Sequence, residues 1–177
     1  MREASILDAA AVVLAQNPGA SIAVIARQAG IGRATLHRYY PKREDLLRAL
    51  ALNAMAQSDA VVLPLYKEDG PKLETLKNII RAMVPLGAYW HFLSLEYSVM
   101  EDEAVKEKYK AQLECLSQLV NEVKAERGLA LDVPTAWMVA AIDSLLYAAW
   151  MGVEAGAIAR NDAADLVIRT LFQGLSS

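Results

Sequence analysis

Ser21-Ile22-Ala23-Val24-Ile25-Ala26-Arg27-Gln28-Ala29-Gly30-Ile31-Gly32-Arg33-Ala34-Thr35-Leu36-His37-Arg38-Tyr39-Tyr40 holds two short helix patterns around a glycine turn. Ile22, Ile25, Ala26 and Ala29 recur at i, i+3, i+4 and i+7, which puts them on one helix face. Ser21 stands where an N-cap belongs. Gly30 ends this helix because glycine accepts the left-handed exit of a tight turn, and Ile31 supplies an apolar plug. A second helix is predicted from Arg33.

The inward face of that second helix is Leu36 and Tyr40, four residues apart. Arg33, Ala34, Thr35, His37, Arg38 and Tyr39 are left outside, with no carboxylate before Glu44. Arginine forks match phosphate oxygens or a guanine edge, and hydroxyl and imidazole groups donate to phosphates. Small Ala34 allows close approach. The pattern points to nucleic-acid contact.

Working outward, the 177-residue chain is rich in strong helix formers, has six prolines, and shows no sustained period-two alternation. The expected fold is all-α, about nine helices, with room for a small module and a larger helical body. Net charge is −3 but unevenly spread. Residues 1–54 carry seven Lys/Arg against four Asp/Glu, net +3, and the remainder eleven against seventeen, net −6. A basic head on an acidic body suits DNA contact at one end. Cys115 is the single cysteine, so an intrachain disulfide or a cysteine-rich metal site is excluded. No secretory leader or charge-free run of about 18 apolar residues is legible, so a cytoplasmic protein without a membrane span is expected.

The first helix is predicted over Arg2–Gln16, with Asn17-Pro18-Gly19 as its stop. A fourth helix should open at Lys42-Arg43-Glu44-Asp45 and run to about Leu63, its two acids suiting the positive N-terminal end. A fifth starts at Pro71, and Pro85 and Gly87 should kink or restart the chain, which then continues as helix through Met100. A long amphipathic helix covers Ala104 to Arg127, closed by Gly128. Another runs from Pro134 to about Gly156, and a last one is capped by Asn161 or Asp162.

Residues 25–40, followed by Lys42-Arg43-Glu44-Asp45-Leu46-Leu47, closely resemble the DNA-binding domain of the TetR family of transcriptional regulators. The resemblance covers about residues 2–54. It implies a helix-turn-helix domain over 1–46, a linking helix over 42–63, and an effector-binding and dimerisation body over 47–177. It further implies a homodimer binding a palindromic double-stranded operator, more often a repressor, released by a small-molecule effector of largely apolar character. Carried over by position, Arg33 and Thr35 face the groove while Ala34 permits approach. His37, at a position usually tyrosine, contacts phosphate together with Tyr39, and Arg43 grips the backbone. Ser21, Arg38 and Lys42 complete the expected DNA-binding set. Gly32 replaces a usual serine cap, Ala23 stands where many members carry a cation, and no basic arm precedes the first helix. These departures imply modest affinity per half-site and greater reliance on dimerisation.

Met83, Leu86, Tyr89, Trp90, Phe92, Leu95, Glu96 and Met100 gather beside the proline-disturbed segment, as an apolar pocket or a plain helical core would. The resemblance favours the pocket, with Tyr109, Leu113, Trp137, Asp143 and Tyr147 as facing walls; Glu96 and Asp143 would suit a cationic ligand. Ala140, Ser144, Ala148, Gly152 and Gly156 place a small residue at every fourth position of the eighth helix. With Leu166, Val167, Thr170, Leu171 and Gly174 they form the expected dimer interface, or else intrachain packing. No catalytic residues, cofactor or metal are expected: the chain has two histidines, and Gly30-Ile31-Gly32 lacks the strand and spacing of a dinucleotide loop. The competing reading is a helical small-molecule or interaction protein with a vestigial DNA-binding module.

Overall fold

In the computed structural model, which describes residues 2–67 and 69–175 but not the side chains of residues 2, 3, 94, 95 and 97, regular structure is helical throughout. Nine α-helices occur among the described residues: α1 (Arg2–Gln16), α2 (Ile22–Gln28), α3 (Arg33–Tyr39), α4 (Arg43–Tyr66), α5 (Lys72–Met83), α6 (Gly87–Leu95), α7 (Glu103–Ala125), α8 (Thr135–Glu154) and α9 (Ala163–Gln173). Short 3-10 turns lie at Val84–Leu86 and Tyr97–Glu101. They form two compact units, one of residues 1–57 with 88–108 and one of residues 58–87 with 109–177. The predicted boundary near residue 46 separated head from body by sequence order. The units instead place α6 and the start of α7 with the head, because those segments pack there.

In the first unit α1 buries Ile6, Leu7, Ala10 and Leu14, α2 buries Ile25 and Ala26, and α3 buries Leu36. The first half of α4 adds Leu46, Leu47, Leu50 and Ala54, and α6 adds Phe92 and Leu93. Asn17 holds the predicted stop after α1, its side-chain oxygen accepting from the Gly19 amide at 3.1 Å.

In the second unit the apolar stripes of α5, α7, α8 and α9 meet in one core, including Leu76, Ile80, Leu119, Val123, Met138, Ile142 and Val167. Helix α9 packs on both α8 and α5. Asp59 on α4 and Gln112 on α7 are joined by a 2.6 Å hydrogen bond. Gly87 opens α6 where a Cβ would fall 2.0 Å from the Trp150 ring of α8, so only glycine fits.

Several helix ends differ from expectation. Helix α4 continues past Pro64 to Tyr66, since a proline removes only its own amide donor, and its end tightens as the Lys67 amide reaches the Pro64 carbonyl at 3.1 Å. Helix α6 ends at Leu95, before Met100, where Glu96 turns out of helical geometry (φ −107°, ψ 72°) and accepts from the Ser98 hydroxyl at 2.6 Å. At the end of α7 the left-handed residue is Arg127 (φ 59°), while Gly128 bonds back to the Val123 carbonyl at 2.9 Å. Helices α4 and α8 are long and apolar enough to cross a bilayer by length and composition alone, a test that core helices also pass.

Candidate nucleic-acid interface

The α2–turn–α3 segment is mounted from beneath by Ile25, Leu36 and Tyr40, each buried. Ser21 and Gly32 occupy the N-cap positions in extended geometry, and neither helix start receives a side-chain cap bond. The turn residue Gly30 has φ 65°, and the Ile31 amide reaches the Ala26 carbonyl at 2.9 Å, closing α2 as predicted. Because α3 has seven residues, its orientation depends on these buried anchors.

Arg33, Ala34, His37, Arg38 and Tyr39 are exposed on α3, as is Ser21 before α2 and Lys42 before α4; Thr35 is half-buried. The Arg38 guanidinium sits 5.9 Å from the centre of the Tyr39 ring, and the Tyr39 and Tyr40 rings are 6.4 Å apart. The helix therefore presents a cationic, hydroxyl-bearing face without a carboxylate of its own.

Arg43 is corrected by the structure. Its terminal nitrogens donate to the Ala20 carbonyl at 2.7 Å and the Pro18 carbonyl at 2.5 Å, so it braces the α1–α2 turn against the start of α4. Carbonyls hold the group that was expected to grip phosphate. Arg43→Ala is therefore expected to lower stability by about 1–2 kcal/mol while leaving the salt slope of DNA binding nearly unchanged. Chemical unfolding beside a salt titration checks this, and a slope flatter by about one ion would restore the phosphate role.

The predicted pocket residues do not share one unit. Tyr89, Trp90, Phe92, Glu96 and Met100 belong to the first; Met83, Leu86, Tyr109, Leu113, Trp137, Asp143 and Tyr147 belong to the second. The side chain of Leu95 lies outside the described residues. Phe92 is 2% exposed and serves as core in its unit, and Met83 and Leu113 pack against the second core. Tyr89 donates its hydroxyl hydrogen bond to Asp8. Burial first, and the Asp8 carboxylate second, push its phenol up to about 12.

Trp137, Asp143 and Tyr147 are corrected as pocket walls, since all three are exposed on α8. The Asp143 carboxyl group itself is partly desolvated, and that alone raises its pKa. Trp137, 71% exposed, shares an open stripe with Ala140, Ser144, Ala148 and Met151. Trp137 and Met151 lie seven residues either side of Ser144, a spacing that places them on the same face.

The dimer set also changes. Gly152 is covered within the chain, where a Cβ would fall 2.3 Å from Ile158 Cδ1. Gly156 (φ 70°) and Gly174 (φ 78°) lie beyond the ends of α8 and α9, so neither belongs to a helix stripe. Val167 is buried in its own core and Leu171 packs against it, because α9 uses its apolar face on α8 and α5. Leu166 and Thr170 are half-buried, the Thr170 hydroxyl bonding back to the Leu166 carbonyl at 2.8 Å.

A helix-turn-helix with an open cationic second helix, carried on an all-helical body, defines a DNA-binding transcriptional regulator. Residues 6–50 match the profile described as bacterial regulatory proteins, tetR family. Over 171 residues, 97% of this chain and 88% of the relative, the chain is 32% identical to the HTH-type transcriptional repressor LfrR of Mycolicibacterium smegmatis. The crystal structure of LfrR from Mycobacterium smegmatis in complex with proflavine matches at a TM-score of 0.83 and 30% identity, over 99% of this chain and 97% of that one. The fold is shared also with AibR in complex with isovaleryl coenzyme A and operator DNA (TM-score 0.78, 18% identity, 97% and 98% of the two chains). The chain belongs to the TetR family of transcriptional regulators.

Proposed function

We propose that the chain is a homodimeric repressor that binds a palindromic operator and is released by a small-molecule effector, acting by binding and not by catalysis, in the cytoplasm. The observation that carries this reading is the exposed face of α3 set on fully buried Leu36. Arg33 and Thr35 face the bases, Ala34 admits the helix to the groove, and His37, Arg38, Tyr39, Lys42 and Ser21 contact the backbone. Residues 1–46 form the reading head, α4 leads away from it, and the remainder receives the effector and the second copy.

The LfrR relative was crystallised with proflavine, a planar aromatic cation. The net charge of −6 over residues 55–177 favours ligands of that class here as well. The second copy docks on the open stripe of α8. Only 22% of the most apolar window of that helix is buried within the chain.

Enrichment of random genomic fragments at moderate salt tests the reading. The expected result is recovery of a two-half-site duplex and its release by proflavine. Recovery of no preferred sequence would refute the DNA-reading role, and retention of the duplex with proflavine bound would refute release by this class. On the recovered duplex Arg33→Ala is expected to cost about 1–3 kcal/mol, or roughly 5-fold to 150-fold, with a much smaller loss on random DNA.

A further inference from the structure

The reading head is tied to α6 by polar bonds that the DNA contacts do not use. In the first unit the Tyr89 hydroxyl of α6 donates to an Asp8 carboxylate oxygen on α1. Two residues further on, buried His91 makes a ring hydrogen bond to the backbone of Ala15. Asp8 and Ala15 are seven residues apart, about two turns, so both bonds meet one side of α1. The buried amide of Asn53, on α4, lies against the same phenol. Helix α1 packs on α2, and α2 packs on α3. The chain enters α6 directly from the second unit at residues 87 and 88.

We infer that the Asp8–Tyr89 bond, with the His91–Ala15 bond beside it, is a latch that holds α1 to α6 and passes a shift of α6 to the recognition helix through α1 and α2. A carboxylate acceptor makes the Asp8–Tyr89 bond one of the stronger kind, and a phenol pushed up to about 12 stays a neutral donor across the working pH range. Tyr89 is thus a positioning residue: it touches no DNA and acts through α1.

The test uses the full chain with Tyr89→Phe, Asp8→Ala, the double variant, and Asp8→Asn, which keeps an acceptor. In hydrogen exchange, both disruptive single variants are expected to speed α1 and α6 amides about threefold to tenfold while α8 amides keep their rate. The double variant should be no faster than either single, and Asp8→Asn, which keeps a neutral acceptor, should fall between wild type and the disruptive singles. On a duplex enriched by the wild-type protein, the same singles should bind about threefold to tenfold more weakly with an unchanged salt slope. Unchanged α1 exchange, or effects that add in the double variant, would overturn the latch. A changed salt slope would place Asp8 or Tyr89 at the DNA and overturn it also. Equal affinity of the singles and wild type for the duplex would overturn the transmission to α3. If the wild type enriches no duplex, the regulator reading fails by itself and the exchange results alone decide the latch.

Discussion

Replacing Ala148 with arginine is expected to leave the chain folded, make it monomeric, and weaken binding to a two-half-site duplex by about 10²-fold or more. Ala148 is exposed, so a long side chain there meets no core in the single chain. The loss comes from association. Ala140, Ser144 and Ala148 leave α8 a shallow surface that a second helix can approach closely, and Trp137 (71% exposed), Tyr147 (42%) and Met151 (43%) supply large apolar groups around it. A guanidinium at the centre of that contact must be desolvated without a partner, which costs several kcal/mol. Two reading heads held together gain about 10²–10⁴-fold over one through effective concentration, and that gain disappears with the dimer. Sedimentation and fluorescence anisotropy on the variant check the two halves. A stable dimer with wild-type affinity would remove α8 from the interface.

Leu36→Ala is expected to destabilise the reading head by about 2–5 kcal/mol and to abolish specific binding at any accessible protein concentration. Leu36 is 0% exposed and is the buried residue of a seven-residue helix. A helix so short does not persist without tertiary support, so the cavity left by truncation releases the whole exposed face of α3. The second unit has its own core, centred on residues such as Leu76, Leu119 and Ile142, and its amides should remain protected. Hydrogen exchange separates the two units, and a loss below about 1 kcal/mol with DNA binding retained would contradict the anchoring role.

Local signals were the most legible. The α1 bounds, the turn at Gly30 and the opposition of Leu36 and Tyr40 to Arg33, His37 and Arg38 all follow from periodicity, capping and glycine geometry within a few residues. Helix existence in the body was equally readable, since the stripes of α5 and α7 are regular. What each apolar stripe faces was not. Val167 and Trp137 both occur in apolar helical patterns, yet Val167 is internal and Trp137 is 71% exposed, because α9 covers one side of α8 and, among the described residues, the Trp137 side stays open.

Polar partners at long separation were also hidden. Arg43 reads as a free cation beside a DNA-binding helix, but Pro18 and Ala20 bring two carbonyls to it. Arg48 pairs with Asp102 at 2.7 Å, 54 positions away, a partner that no local pattern marks. Tyr89 sits in an aromatic cluster that suggests a pocket, and its hydroxyl is held by Asp8 across 81 positions.

By itself the sequence determined that this protein is all-helical and that α3 presents its cations outward, because those properties depend on neighbours three or four residues apart. Tertiary structure alone decided which small-residue stripe stays open, which arginine is a brace, and that α6 is bonded to the reading head. Those outcomes depend on contacts between distant segments, which no local periodicity encodes.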